Sequence, residues 1–131
     1  MRMSIFAVIL LCLAFCEPAH AQGQTGSELL TKCKAFLNSV DKNPNASGSA
    51  FDIGFCPGFI SGVLSGAEVW EATDALRKQT HPMAFCRPEN ANNGEIMRVF
   101  VKYLEDYPER LHEPAGLLFL TSLTNAFPCK K

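Results

Sequence analysis

The chain has 131 residues with 12 basic and 13 acidic side chains, a net charge of −1. That balance excludes a nucleic-acid binder, which needs a basic stripe, and the length suits a single domain. Of the six cysteines, two lie within the first sixteen residues and four are spread over the rest.

The N-terminus reads Met1-Arg2-Met3 and then an apolar run from Ile5 to Cys16. One positive charge ahead of a dozen or so apolar residues has the form of a secretory signal. Ala19-His20-Ala21 places small residues where signal peptidase reads, so cleavage is expected between Ala21 and Gln22. The run is too short for a membrane anchor, which needs roughly 20 apolar residues. Phe15 before Cys16 does not suit lipoprotein processing. Residues 1–21 are thus read as a signal peptide and 22–131 as one exported domain. Removing Arg2 and Glu17 leaves the charge unchanged, and no second long apolar run is evident, so the mature domain is expected to be soluble and free of the membrane.

Cleavage removes Cys12 and Cys16 and leaves Cys33, Cys56, Cys86 and Cys129. An even set in a small exported domain reads as a disulfide framework. Four cysteines allow three pairings, and this arithmetic does not choose among them. Their spacing contains no C-x-x-C, so zinc is not expected.

The first helix is expected from Ser27, as N-cap, to Val40, with Leu29, Leu30, Cys33, Phe36 and Leu37 at helical spacing. Asp41 to Ser49 is a loop by composition, and Asn45-Ala46-Ser47 within it matches a glycosylation sequon. The second helix is expected over Asp52 to Lys78, with an irregular first turn at Gly54 and Pro57. Gly58, Gly62 and Gly66 recur every four residues and make one stripe. Each should cost about 1 kcal/mol of helix stability, so the stripe is expected to lie against a closely packed backbone, of the same chain or of a second subunit. Glu68, Glu71, Asp74, Arg77 and Lys78 read as a solvated face with ion pairs.

Thr80 to Asn93 is a loop carrying His81-Pro82. The third helix is expected near Asn93, with Ile96, Val99, Phe100, Tyr103 and Leu104 as its apolar face. Pro108 stops it. The short linker Tyr107 to His112 predicts an antiparallel return. The fourth helix is expected over Glu113 to Phe127, with Pro114 in its first turn. No segment alternates as a strand does. The expected fold is all-α, a compact bundle of four main helices stapled by two disulfides.

No catalytic constellation is present. His81 and His112 have no second ligand at helical spacing, Ser61 is not in a nucleophile elbow, and the glycine stripe is not a phosphate loop. No metal and no cofactor are expected. Tyr103 and Tyr107 lie one turn apart beside Glu105, Asp106 and Glu109, which is either a solvated helix end or a protein-binding patch.

Five pieces occur in order: Cys33 in the first helix, Cys56-Pro57-Gly58-Phe59-Ile60-Ser61-Gly62-Val63, Phe85-Cys86-Arg87-Pro88, Val101-x-Tyr103-Leu104 with Pro108, and Ala126-Phe127-Pro128-Cys129. Together they resemble the Tai/Rap family of type VI secretion amidase immunity proteins, over Leu29 to Cys129. The resemblance implies a periplasmic, helical, disulfide-bonded protein, often dimeric, that binds and blocks a secreted peptidoglycan amidase and is not an enzyme. The loop from Tyr107 to His112 is similar to the inhibitory loop of some members. On that basis Tyr107, Glu109, Arg110 and Leu111 are the candidate partner contacts. The alternative is a small periplasmic chaperone or stress protein without a toxin partner. Within an antiparallel hairpin the start of the third helix lies beside the end of the fourth. That geometry predicts Cys86–Cys129, and with it Cys33–Cys56 once the loop at Asn43 to Ser49 folds back.

Overall fold

The computed structural model describes residues 23–43, 47–79 and 85–129. The signal segment with its cut before Gln22, the first two positions of the sequon and His81-Pro82 lie outside the described residues. Four helices follow one another: α1 (Gly26–Val40), α2 (Ala50–Arg77), α3 (Asn93–Asp106) and α4 (Ala115–Ala126), with a 3-10 turn over Pro108–Arg110 between the last two. There is no strand among the described residues, in agreement with the expected all-α bundle.

The helix starts are set by local chemistry. Thr25, Ser49 and Asn92 each cap a helix, the side chain accepting from the amide three residues on, while the acid at that position, Glu28, Asp52 or Glu95, accepts in return from the cap residue's own amide. Each box satisfies amides that the first turn leaves without helical partners. For α1 this moves the start from the expected Ser27 cap to Thr25. Three residues after Ser27 stands Leu30, which cannot return a hydrogen bond, whereas Thr25 has Glu28. For α2 the box Ser49–Asp52 starts the helix at Ala50, and no irregular turn follows at Gly54 or Pro57. Pro57 only withholds one donor from the carbonyl four residues back. The other end of α2 closes on Lys78 in the left-handed conformation, φ 55°, with the Gln79 amide donating to the Asp74 carbonyl at 2.9 Å.

The core is the seam where the four helices meet. Leu29 and Cys33 of α1, Cys56, Ile60 and Leu64 of α2, Ile96, Phe100 and Leu104 of α3, and Leu118, Phe119 and Leu123 of α4 are buried together. Phe119 meets Phe100 edge-on at 5.1 Å and Phe59 at 6.1 Å between centroids. On α3, Met97 and Val101 are buried beside the expected face, while Val99 is half-exposed. Ser122, the one buried hydroxyl of α4, donates to the Phe119 carbonyl at 2.7 Å, which satisfies it.

Two disulfides staple the bundle. Cys33–Cys56 joins α1 to α2 with its Cα atoms 5.0 Å apart, and Cys86–Cys129 joins the segment before α3 to the end of α4 with Cα atoms 4.8 Å apart. These are the pairs the hairpin geometry predicts. The second is reinforced by the Cys86 amide donating to the Phe127 carbonyl at 2.8 Å. Lys34–Glu105 and Arg98–Asp41 tie α1 to α3 across the surface. Both pairs are about half exposed, where such bridges contribute little.

One expectation about composition is corrected. By length and apolar character α2 qualifies as a membrane-crossing helix, with a mean hydropathy of 1.3 over its best window and 17% of that window buried. Its glycines and serines conceal this on reading. Its seam is held in the bundle by the bond from Cys56 to Cys33 and by Ile60 and Leu64.

Candidate partner-binding site

The linker between α3 and α4 is built from the end of α3 outward. The Tyr107 amide still donates to the Tyr103 carbonyl, and the Tyr107 ring lies on the Tyr103 ring at 4.7 Å between centroids. Pro108 cannot extend the α-helix and opens the 3-10 turn instead. Arg110 then folds back under the turn. Its Nε and Nη2 donate to the two Glu113 carboxylate oxygens, both at 2.7 Å, and its Nη1 donates to the Tyr103 hydroxyl. This two-pronged bond holds the Glu113 carboxyl below the usual glutamate range and raises the Arg110 pKa. Both partners therefore remain charged at neutral pH.

The four candidate contacts divide in space. Tyr107 and Glu109 stand in solvent, with Tyr107 42% exposed. Arg110 is half-buried and committed to Glu113, and Leu111 is half-buried against the core. The first pair is available to a partner, while the second pair shapes the turn that presents them. Glu105 and Asp106 at the end of α3 are bound to Lys34 and Lys102. Sequence reasoning paired Tyr103 with Tyr107 but missed that Arg110 binds both Tyr103 and Glu113, because reach from the turn back to Tyr103 depends on a fold-back that side-chain pattern does not encode.

It also missed a second support. Residues 24–27 run alongside the linker, forming an antiparallel bridge between Thr25 and Pro114. A Cβ at Gly26 would sit 2.5 Å from Leu118 Cδ1 and 3.2 Å from the Leu111 carbonyl oxygen, so a side chain there would push the Leu118 tip aside and crowd the linker backbone. A glycine at the start of α1 was the available signal.

The glycine stripe behaves differently. Gly58, Gly62 and Gly66 face solvent, and a Cβ at any of them would meet nothing within 4 Å. The expected close approach of a backbone from the same chain is therefore absent among the described residues. The reason is that α2 buries the Cys56–Ile60–Leu64 edge, and the glycines lie off that edge. Phe51, Val69 and Leu76 of the same helix are also exposed.

Among the described residues no group of three or more potential metal ligands comes together. The linker offers an exposed aromatic ring and a carboxylate on a braced turn. A family model described as Rap1a immunity proteins matches residues 25–129. The chain belongs to the Rap1a immunity protein family. No curated protein and no solved structure matches it. Membership in the Rap1a family implies a partner effector protein, and immunity families of this kind are generally non-enzymatic. The two disulfides of this Rap1a member fit an oxidising compartment.

Proposed function

We propose that this Rap1a-family protein is a periplasmic immunity protein of type VI secretion that binds a peptidoglycan amidase and blocks its active-site groove. The observation that carries the reading is the linker: Tyr107 and Glu109 project from a turn braced from within, on a bundle stapled by two disulfides. A plug of this kind loses little conformational freedom on docking, which favours affinity. Tyrosine is well suited to anchor it, being enriched at interface hot spots.

The test is inhibition and binding of amidases encoded near this gene. Tyr107→Ala is expected to weaken binding by about 30-fold or more, as for a hot spot of about 2 kcal/mol. Glu109→Ala is expected to act mainly on the association rate and its salt dependence, as exposed charges do. Affinity untouched by both changes would remove the linker from the interface. Suppression of aggregation of unrelated proteins, with no amidase binding, would instead mark a chaperone.

The outer face of α2 is proposed as the contact between two copies of the chain. Glycines exposed at Gly58, Gly62 and Gly66 cost helix stability with no return inside one chain, and the exposed Phe51, Val69 and Leu76 add apolar area on the same helix. Gly62→Leu should then give a folded monomer by sedimentation where the unaltered chain is dimeric. An unchanged sedimentation coefficient would clear this face. If the chain is monomeric, Gly62→Ala is instead expected to raise stability by about 1 kcal/mol.

A further inference from the structure

We infer that residues 24–27 are a strap that positions the partner-binding linker, holding it in one conformation before any partner arrives. The inference rests on the reading of the linker as the contact element. Three backbone hydrogen bonds carry it: Gly26 donates to the Glu113 carbonyl at 3.0 Å, Ser27 to the Leu111 carbonyl at 2.9 Å, and Ala115 to the Gln24 carbonyl at 2.8 Å. The strap is itself anchored, because Lys32 Nζ donates to the Gln24 side-chain oxygen at 2.7 Å while lying 4.1 Å from the Phe55 ring centroid. The close approach at Gly26 leaves no gap between strap and linker.

The physical consequence concerns where entropy is lost. A turn joining two antiparallel helices has several accessible conformations, and fixing each residue costs about 1–2 kcal/mol. Inside the linker the restraints are the Arg110–Glu113 pair and the short-range bonds Arg110 to Tyr107, Leu111 to Pro108 and Glu113 to Arg110. These close the turn on itself, while the Arg110 bond to the Tyr103 hydroxyl and the Leu111 side chain against the core tie it to the bundle through side chains. The strap ties its backbone, since it grips the carbonyls of Leu111 and Glu113 from the first turn of α1. Ordering is then complete in the free protein, and less is lost on binding.

Ser27 supplies a clean test. Its amide lies in the first turn of α1, where no helical acceptor exists, and its side chain is exposed. Ser27→Pro therefore deletes the bond to Leu111 while sparing the helix, whose first turn accepts proline. Ser27→Ala keeps the amide and serves as the control. Hydrogen exchange of the full chain is expected to speed up at least 10-fold at Arg110, Leu111 and Glu113 in Ser27→Pro. The same variant should leave the α3 core amides of Phe100 and Leu104 unchanged, and Ser27→Ala should match the unaltered protein. Linker amides that exchange at the original rate in Ser27→Pro would overturn the strap. Should that variant fail to fold, Gly26→Ala gives the same reading by prising strap and linker apart. The two claims fail separately: intact amidase binding in Tyr107→Ala removes the linker as contact, whatever the exchange rates show.

Discussion

Replacing Cys33 and Cys56 by alanine is expected to lower the unfolding free energy by about 3.4 kcal/mol, and replacing Cys86 and Cys129 by about 4.0 kcal/mol, from loop closure alone. The two values follow from sequence separations of 23 and 43 residues. Their sum is comparable with the whole stability of a small domain, about 5–15 kcal/mol. The chain without either bond should therefore lose its cooperative urea transition. The bonds also differ in access, since Cys33 and Cys56 are fully buried while Cys86 is exposed. A thiol reductant is expected to open Cys86–Cys129 first, because exchange needs approach of the attacking thiolate to sulfur. Urea unfolding with and without dithiothreitol, followed by peptide mapping of the thiols released, measures both effects. An unchanged midpoint under reduction would show that the helices hold together without the bonds.

Phe119→Ala is expected to cost about 3–5 kcal/mol, the range for removing a fully buried aromatic ring. Phe119 has no exposed surface, and its ring touches Phe100 of α3 and Phe59 of α2. Removing it opens a cavity where three helices meet, and neighbours fixed by two disulfides have little room to close it. Leu117→Ala, on the same helix but 52% exposed, should stay within about 0.5 kcal/mol of the unaltered chain. Thermal unfolding separates the two variants. Similar melting temperatures would mean that the Phe119 site collapses freely.

The two expected results depend on different levels of organisation. The disulfide effect was legible early, because the four cysteines after the expected signal segment, set on an antiparallel hairpin, leave one favoured pairing. The spacing of Leu118, Phe119 and Leu123 puts them on one apolar stripe of α4, but spacing does not show that the Phe119 ring bridges two other helices. The same limit appears at the linker. Tyr107, Glu109, Arg110 and Leu111 are four consecutive-looking candidates, yet Arg110 is drawn inward by Glu113 and Leu111 by the core. Charge and hydropathy are equal guides to a contact outside the molecule and to one inside it.

By itself the sequence determined the helix count, the linkers, the cysteine framework and the order of motifs that marks the family. These features are local or nearly so: apolar spacing defines a helical face, an acid three residues after a Thr, Ser or Asn marks a capping box, and a proline at the end of an apolar stretch, as at Pro108, stops a helix, although Pro57 lies within α2 without breaking it. Only the tertiary structure decided what each face meets. It turned the Gly58–Gly62–Gly66 stripe to solvent, placed Gly26 at the close approach, and laid residues 24–27 along the linker. The strap is made by backbone amides and carbonyls, which every residue but proline carries in full. Such bonds leave no mark in side-chain pattern, so a contact between residues 26 and 113 becomes visible only when the bundle closes.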